Sequence, residues 1–81
     1  MRRSPLEFSD AFSKVVKKHR EGKGLSRASL AEKAGLHQTY IGLLESGARS
    51  PNLDTAKRIA KGLGVPLSRL VLEAEQLFPR I

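Results

Sequence analysis

Glycines at 22, 24, 35, 47 and 64 cut this chain into short segments, and within each segment the apolar residues step by three and four. That spacing is helical, and no stretch alternates as a strand would. Phe8, Phe12, Val15, Val16 and His19 form the first stripe, which ends at Gly22 and Gly24. Leu30, Ala31 and Ala34 form the second, between Ser26 and Gly35, and Tyr40, Ile41 and Leu44 the third, from His37 to Ser46. The fourth segment opens at Asn52 and places Leu53, Ala56, Ile59, Ala60 and Leu63 on one face. The fifth follows Pro66, carries Leu67, Leu70, Val71, Ala74, Leu77 and Phe78, and closes at Pro79. Ser26 and Asn52 are good amino-terminal caps. For the first helix, Ser4-Pro5-Leu6-Glu7 offers a capping box with proline at the first helical position, and Ser9 is a competing start. Isolated helices shorter than about 12–15 residues are marginal in water, so these must stabilise one another. The expected fold is all-α, one compact five-helix domain over residues 1–81.

Length and composition narrow the chemistry. Eighty-one residues build one modest core, burying about 60–65% of the unfolded surface, and 40% apolar residues suffice for it. The chain has no cysteine, which excludes a disulfide scaffold, a thiolate zinc site and a cysteine nucleophile. With His19 and His37 as the only histidines there is no zinc set and no plausible triad. Glu73 and Glu75 lie about 200° apart around a helix and share no site. The expectation is therefore a protein that is not an enzyme, with no metal, no cofactor and no small-molecule ligand. No apolar run approaches the roughly 20 residues of a membrane span, and Met1-Arg2-Arg3-Ser4-Pro5 is followed by no apolar stretch, so a cytoplasmic, nucleoid-associated protein without membrane contact is expected. Fifteen Lys and Arg against eight Asp and Glu leave +7, which favours anionic partners, nucleic acid ahead of membrane surface.

The informative stretch is Arg27 to Ser46, RASLAEKAGLHQTYIGLLES. Two short helices crossing steeply need a small residue where their backbones approach, which suits Ala31, and a residue tolerant of positive φ in the turn, which suits Gly35. Leu30, Leu36, Ile41 and Leu44 close the wedge between them. This is helix-turn-helix spacing over 27–46, although a helical hairpin without a DNA role shares much of it.

From about Lys14 to Leu70 the sequence resembles the lambda-repressor-like, or XRE, helix-turn-helix proteins. The residues that carry the resemblance are Arg20, Gly24, Ser26, Leu30-Ala31, Gly35-Leu36, Ile41, the run Glu45-Ser46-Gly47-Ala48-Arg49-Ser50-Pro51, Leu53 and Ile59-Ala60. It implies a five-helix, usually dimeric DNA-binding domain, and a structural ion pair between Arg20 and Glu45. Within that family the short length and Thr39-Tyr40-Ile41 are similar to the controller proteins of restriction-modification systems. Two positions depart from the family pattern. Arg27 stands where glutamine is usual at the start of the second helix, and His37 stands where serine or threonine caps the third.

With Ile41 and Leu44 facing inward, base readout falls to Gln38, Thr39, Tyr40 and Leu43. Gln38 suits the adenine edge, Leu43 a thymine methyl, and Tyr40 packs its ring while its hydroxyl reaches outward. Gly42 is either tolerated or required because a side chain would collide with the groove. Phosphate contacts are assigned to Arg27, which joins a guanidinium to free amides at a helix start, and to His37, Arg49, Ser50 and Asn52. Arg2 and Arg3 form either an arm over the DNA or a plain tail, and Lys57, Arg58 and Lys61 read as a solvated face. From Val65 to Ile81, Arg69 and Arg80 balance Glu73 and Glu75, so the surplus charge lies earlier in the chain. That neutral segment, about 66–78, is the expected dimer interface, through Leu67, Leu70, Val71, Ala74, Leu77 and Phe78 with Leu72 off the stripe. The alternative is a last helix folded back on its own domain.

The expected function is a sequence-specific double-stranded DNA-binding transcriptional regulator. It acts as a homodimer on a pseudo-palindromic operator with half-sites about 34 Å apart, and RNA polymerase is a further partner. The rival is an antitoxin-type protein that binds a partner toxin and autoregulates its promoter. Single-strand RNA binding is weaker, because the few aromatics fall mostly on core faces.

Overall fold

The computed structural model describes residues 7–78, and along them five helices follow one another with no strand among the described residues. They are α1 (Phe8–Gly22), α2 (Arg27–Ala34), α3 (Gln38–Glu45), α4 (Leu53–Leu63) and α5 (Leu67–Leu77). Local chemistry sets several of the ends. Ser26 Oγ accepts from the Ser29 amide at 3.0 Å, and Asn52 Oδ1 accepts from the Thr55 amide at 2.8 Å. Each cap satisfies one orphan donor and is worth about 1 kcal/mol. Gly35 and Gly64 end α2 and α4 at φ of 70° and 75°, a left-handed conformation that strains any residue with a Cβ.

The start of α1 differs from both sequence expectations. The helix opens at Phe8 after Glu7, whose side chain makes no capping bond, and Ser9 sits inside it, hydrogen-bonded to Ser50. Ser4, Pro5 and Leu6 of the expected capping box, the arginines at 2 and 3, and Pro79 lie outside the described residues.

The core is a single cluster. Val16 of α1, Leu30 of α2, Ile41 and Leu44 of α3, Ile59 and Leu63 of α4 and Leu70 of α5 are completely buried, each contributing about 1.5–3 kcal/mol by leaving water. α1 lies chiefly on α5, while α2 wedges between α3 and α4. Ala31 is buried, as a close helix crossing requires. A second small residue matters as much. A Cβ on Gly62 would lie 3.1 Å from Leu30 Cδ1 and 3.2 Å from the Ala34 amide nitrogen, so the absence of a side chain at residue 62 lets α4 sit a few tenths of an ångström closer to α2.

Two apolar stripes behave differently from their sequence assignments. Leu53 was placed on the buried face of α4, yet it is 80% exposed, because the first residue of α4 lies beyond the edge of the core and burial begins at Ala56. On α5, Leu70 and Ala74 are fully buried within the domain and are unavailable to a second subunit. The core needs them, because α5 is the element α1 packs against most extensively. Leu67, Val71, Leu77 and Phe78 also pack partly against the core, and the Phe78 ring meets Phe8 edge-on at 5.7 Å. Of the apolar side chains on α5, Leu72 is the exposed one, at 52%, while Leu67, Val71 and Leu77 are half-buried. Among the described residues no helix is long and apolar enough to cross a membrane.

Candidate nucleic-acid interface

The rotation of α3 is fixed by its two buried residues, Ile41 and Leu44. Gln38, Thr39 and Leu43 therefore stand exposed on the opposite face, and Tyr40 lies between, its ring against the core. Gly42 shares that outer side with open space around it, since beyond its chain neighbours and the backbone of its own helix no heavy atom lies within 4 Å of where its Cβ would be. The helix carries no Lys or Arg, so what it presents is neutral hydrogen-bonding and apolar surface.

Basic and polar residues flank it. His37 precedes α3 as an exposed N-cap whose side chain makes no capping bond, consistent with imidazole being a poor substitute for a hydroxyl there. After α3, Gly47 takes φ of 84°, and the Leu43 carbonyl accepts from the amides of Ala48 and Arg49 at 2.9 and 3.3 Å. The Ser46 hydroxyl donates to the same carbonyl at 2.9 Å. These bonds fold the loop back on the end of α3 and hold exposed Arg49 beside it. Ser50 and Asn52 are exposed as expected but already engaged: the Ser50 hydroxyl bonds Ser9 at 3.0 Å, and Asn52 Oδ1 caps α4. A phosphate would have to exchange the first bond, and would meet the Asn52 amide end, not its oxygen.

Behind α3 lies one carboxylate with two guanidinium partners. The Glu45 side chain is only 1% exposed, and its Oε2 accepts from Arg20 Nε at 2.6 Å. Oε1 accepts from Arg20 Nη2 at 3.1 Å and from Arg27 Nε at 3.0 Å. Arg20 completes its own bonding with the Leu25 carbonyl through Nη1 at 2.8 Å. Burial, the largest single influence, pushes the Glu45 carboxyl up, but the hydrogen bonds and charges of Arg20 and Arg27 together outweigh it and hold it below the ordinary value. The hydrogen bond to Glu45 raises Arg20 further, against the lowering effect of its own burial. This network ties α1, α2 and α3 together.

Sequence reasoning placed Arg27 on the DNA backbone and did not connect it to Glu45; eighteen residues of separation carry no periodic signal. It also missed the hydrogen bond between His19 Nε2 and Glu73 Oε1, 2.9 Å long, which links α1 to α5. The stripe position of His19 marks it as a core-edge residue and gives no hint of a partner 54 residues on. Among the described residues no three His, Asp or Glu side chains converge as a metal site needs.

Residues 16–70, more than half of the chain, match the family HTH_3, helix-turn-helix. The sequence is similar to the control protein C.SmaI of Serratia marcescens, 33% identical over 66 residues that cover 82% of this chain and 79% of that one. Among solved structures it is similar to the restriction-modification controller protein C.AhdI from Aeromonas hydrophila, with 31% identity and a TM-score of 0.74 over 76% of this chain and 94% of that one. A point mutant of the restriction-modification controller protein C.Esp1396I superposes with a TM-score of 0.84 at 27% identity, over 90% of this chain and 95% of that one. With five helices, a turn-linked pair at 27–45 and a sequence match across most of the domain, the chain belongs to the HTH_3, or XRE-type, family of helix-turn-helix proteins.

Proposed function

We propose that this protein is a sequence-specific DNA-binding transcriptional regulator that acts as a homodimer on a pseudo-palindromic operator, in the manner of a restriction-modification controller. The observation that carries the reading is the outer face of α3: Gln38, Thr39 and Leu43 exposed and uncharged, with His37 and Arg49 at its two ends and Arg27 nearby on α2. A helix with that face fits the major groove, where neutral side chains discriminate bases and cations meet the backbone. Gln38 pairs with an adenine edge, worth about 1–3 kcal/mol of discrimination. Thr39 and the Tyr40 hydroxyl bond neighbouring base edges or phosphate, and Leu43 covers a thymine methyl. Arg27, His37 and Arg49 bind phosphates, with Ser50 and Asn52 adding neutral contacts.

A second copy of the chain supplies the other half-site. Its contact is a revised surface without Leu70 and Ala74. Between α1, α4 and α5 runs an apolar groove of about 170 Å³ lined by Phe8, Phe12, Leu53, Ala56, Leu67 and Val71. Exposed Leu53 stands at its rim, and exposed Leu72 follows Val71 along α5. Exposed apolar side chains gathered beside a groove mark a contact surface, and a two-fold pairing buries them on both copies at once. The similarity to C.SmaI, C.AhdI and C.Esp1396I supports a controller role. That role calls for a cytoplasmic protein working on the nucleoid, with RNA polymerase as the machinery it recruits or blocks. Nothing in the fold favours the antitoxin reading.

Footprinting on DNA upstream of the protein's own gene tests the proposal. A protected two-fold sequence, bound at least about a thousandfold more tightly than scrambled duplex at physiological salt, is the expected result. Equal affinity for both duplexes would overturn it.

A further inference from the structure

Glu45 does more than it needs to as a structural anchor. Arg20, whose side chain is 10% exposed, already neutralises the carboxylate and contacts both of its oxygens. Each of the three guanidinium nitrogens of Arg20 is engaged, two on Glu45 and one on the Leu25 carbonyl. Arg27 adds a second guanidinium, and it binds through Nε alone. Its side chain remains 48% exposed. Arg20 is enclosed and has Glu21 Oε2 3.8 Å from its Nη2 as a further anion, so the guanidinium this cluster displays to solvent is that of Arg27 at the start of α2.

A guanidinium is a rigid planar fork, so fixing one edge fixes the direction of the other. With Nε held on a buried oxygen and the side chain 48% exposed, the Nη edge of Arg27 is the part left for a bidentate bond with phosphate. A free surface arginine would lose rotamer freedom on meeting the backbone. One already pinned has lost much of it in the folded protein. The glutamine usual at this position in the family would bring no charge to display.

Resting on the DNA-binding reading above, we propose that Glu45 is a positioning residue for DNA: by holding Arg27 through Nε it aims the outer edge of that guanidinium at a backbone phosphate. Binding then adds a phosphate to Arg27 without breaking its bond to Glu45.

Nitrogen-15 NMR of the arginine side chains tests this on the wild-type protein. The expected result is an Arg27 Nε–H resonance protected from exchange in the free domain and still protected when operator duplex is added, while its Nη resonances shift. Loss of that protection on binding would mean that Arg27 lets go of Glu45 to reach DNA, and would overturn the proposal. A mutant cycle gives an independent readout, with every variant first shown by thermal melting to be folded at the assay temperature. Glu45→Gln should weaken operator binding by about two- to tenfold per half-site when Arg27 is present, and by nothing measurable in an Arg27→Ala background. Equal loss in both backgrounds would assign Glu45 a structural role only. A wild-type protein with no selectivity among duplexes would overturn the DNA-binding reading along with this one, whereas lost Nε protection in a selective protein overturns the positioning alone.

Discussion

At Glu45 a single side chain joins three helices, and its loss separates two kinds of effect. Glu45→Ala leaves Arg20 buried without its anion, a change that costs about 3–5 kcal/mol, and it should unfold or loosen the domain without changing its operator preference. A variant with the wild-type melting temperature and an altered operator would contradict that. The same pair gives a pH dependence of known sign. Because the carboxyl titrates lower in the folded than in the unfolded chain, its stabilisation is fully present above the ordinary value of 4.5 and is lost as pH falls through the folded value. Thermal melts of wild type and Glu45→Gln should therefore differ by a constant margin near neutrality, and the margin should shrink below pH 4.5. On the exposed face the prediction is different in kind. Gln38→Ala should lose discrimination at one base pair per half-site, whereas Arg49→Gln should weaken all duplexes alike and reduce the salt slope by about 0.9 per half-site, both measured by equilibrium titration at several salt concentrations. The exposed face of α3 was legible because two inward residues, Ile41 and Leu44, fix a helix's rotation. The attachment of Arg27 to Glu45 was not, because contacts between helices depend on how the helices are set against each other.

Among the elements, two glycines inside helices predict opposite outcomes from the same substitution. At Gly62 a methyl group would press on Leu30 and on the backbone nitrogen of Ala34, which yields less readily than a side-chain end. Overpacking costs about 1–3 kcal/mol, and the better helix propensity of alanine returns about 1, so Gly62→Ala should lower the melting temperature. At Gly42 nothing is in the way within the protein. Gly42→Ala should gain about 1 kcal/mol, or about 4–8 °C, while weakening operator binding where the methyl meets the groove. A higher melting temperature with unchanged affinity would remove Gly42 from the interface. The helix ends at Ser26, Asn52, Gly35 and Gly64 could be read from sequence because capping chemistry is local. The stripe on α5 could not be apportioned. Periodicity gives the width of an apolar face, but not how much of it a neighbouring helix covers, so Leu70 and Ala74 went to the core.

For the whole molecule, charge and apolar surface divide the work. Helix α3 has no cation of its own, and the segment from Val65 to Ile81 is neutral. In the proposed mode of action, basic residues beside α3 supply backbone attraction, and the groove between α1, α4 and α5 supplies the subunit contact. Leu53→Glu and Leu72→Glu each change an exposed residue, so melting should be little affected, while sedimentation should show monomers and operator affinity should fall by at least about tenfold. Dimers of undiminished strength would place the contact elsewhere. The most direct test of the account is selection of bound duplexes from a random pool by the wild-type protein. It predicts enrichment of a two-fold related motif with half-site centres one helical turn, about 10–10.5 base pairs, or a small multiple of it apart. A pool that enriches no motif, or only an asymmetric one, would contradict it.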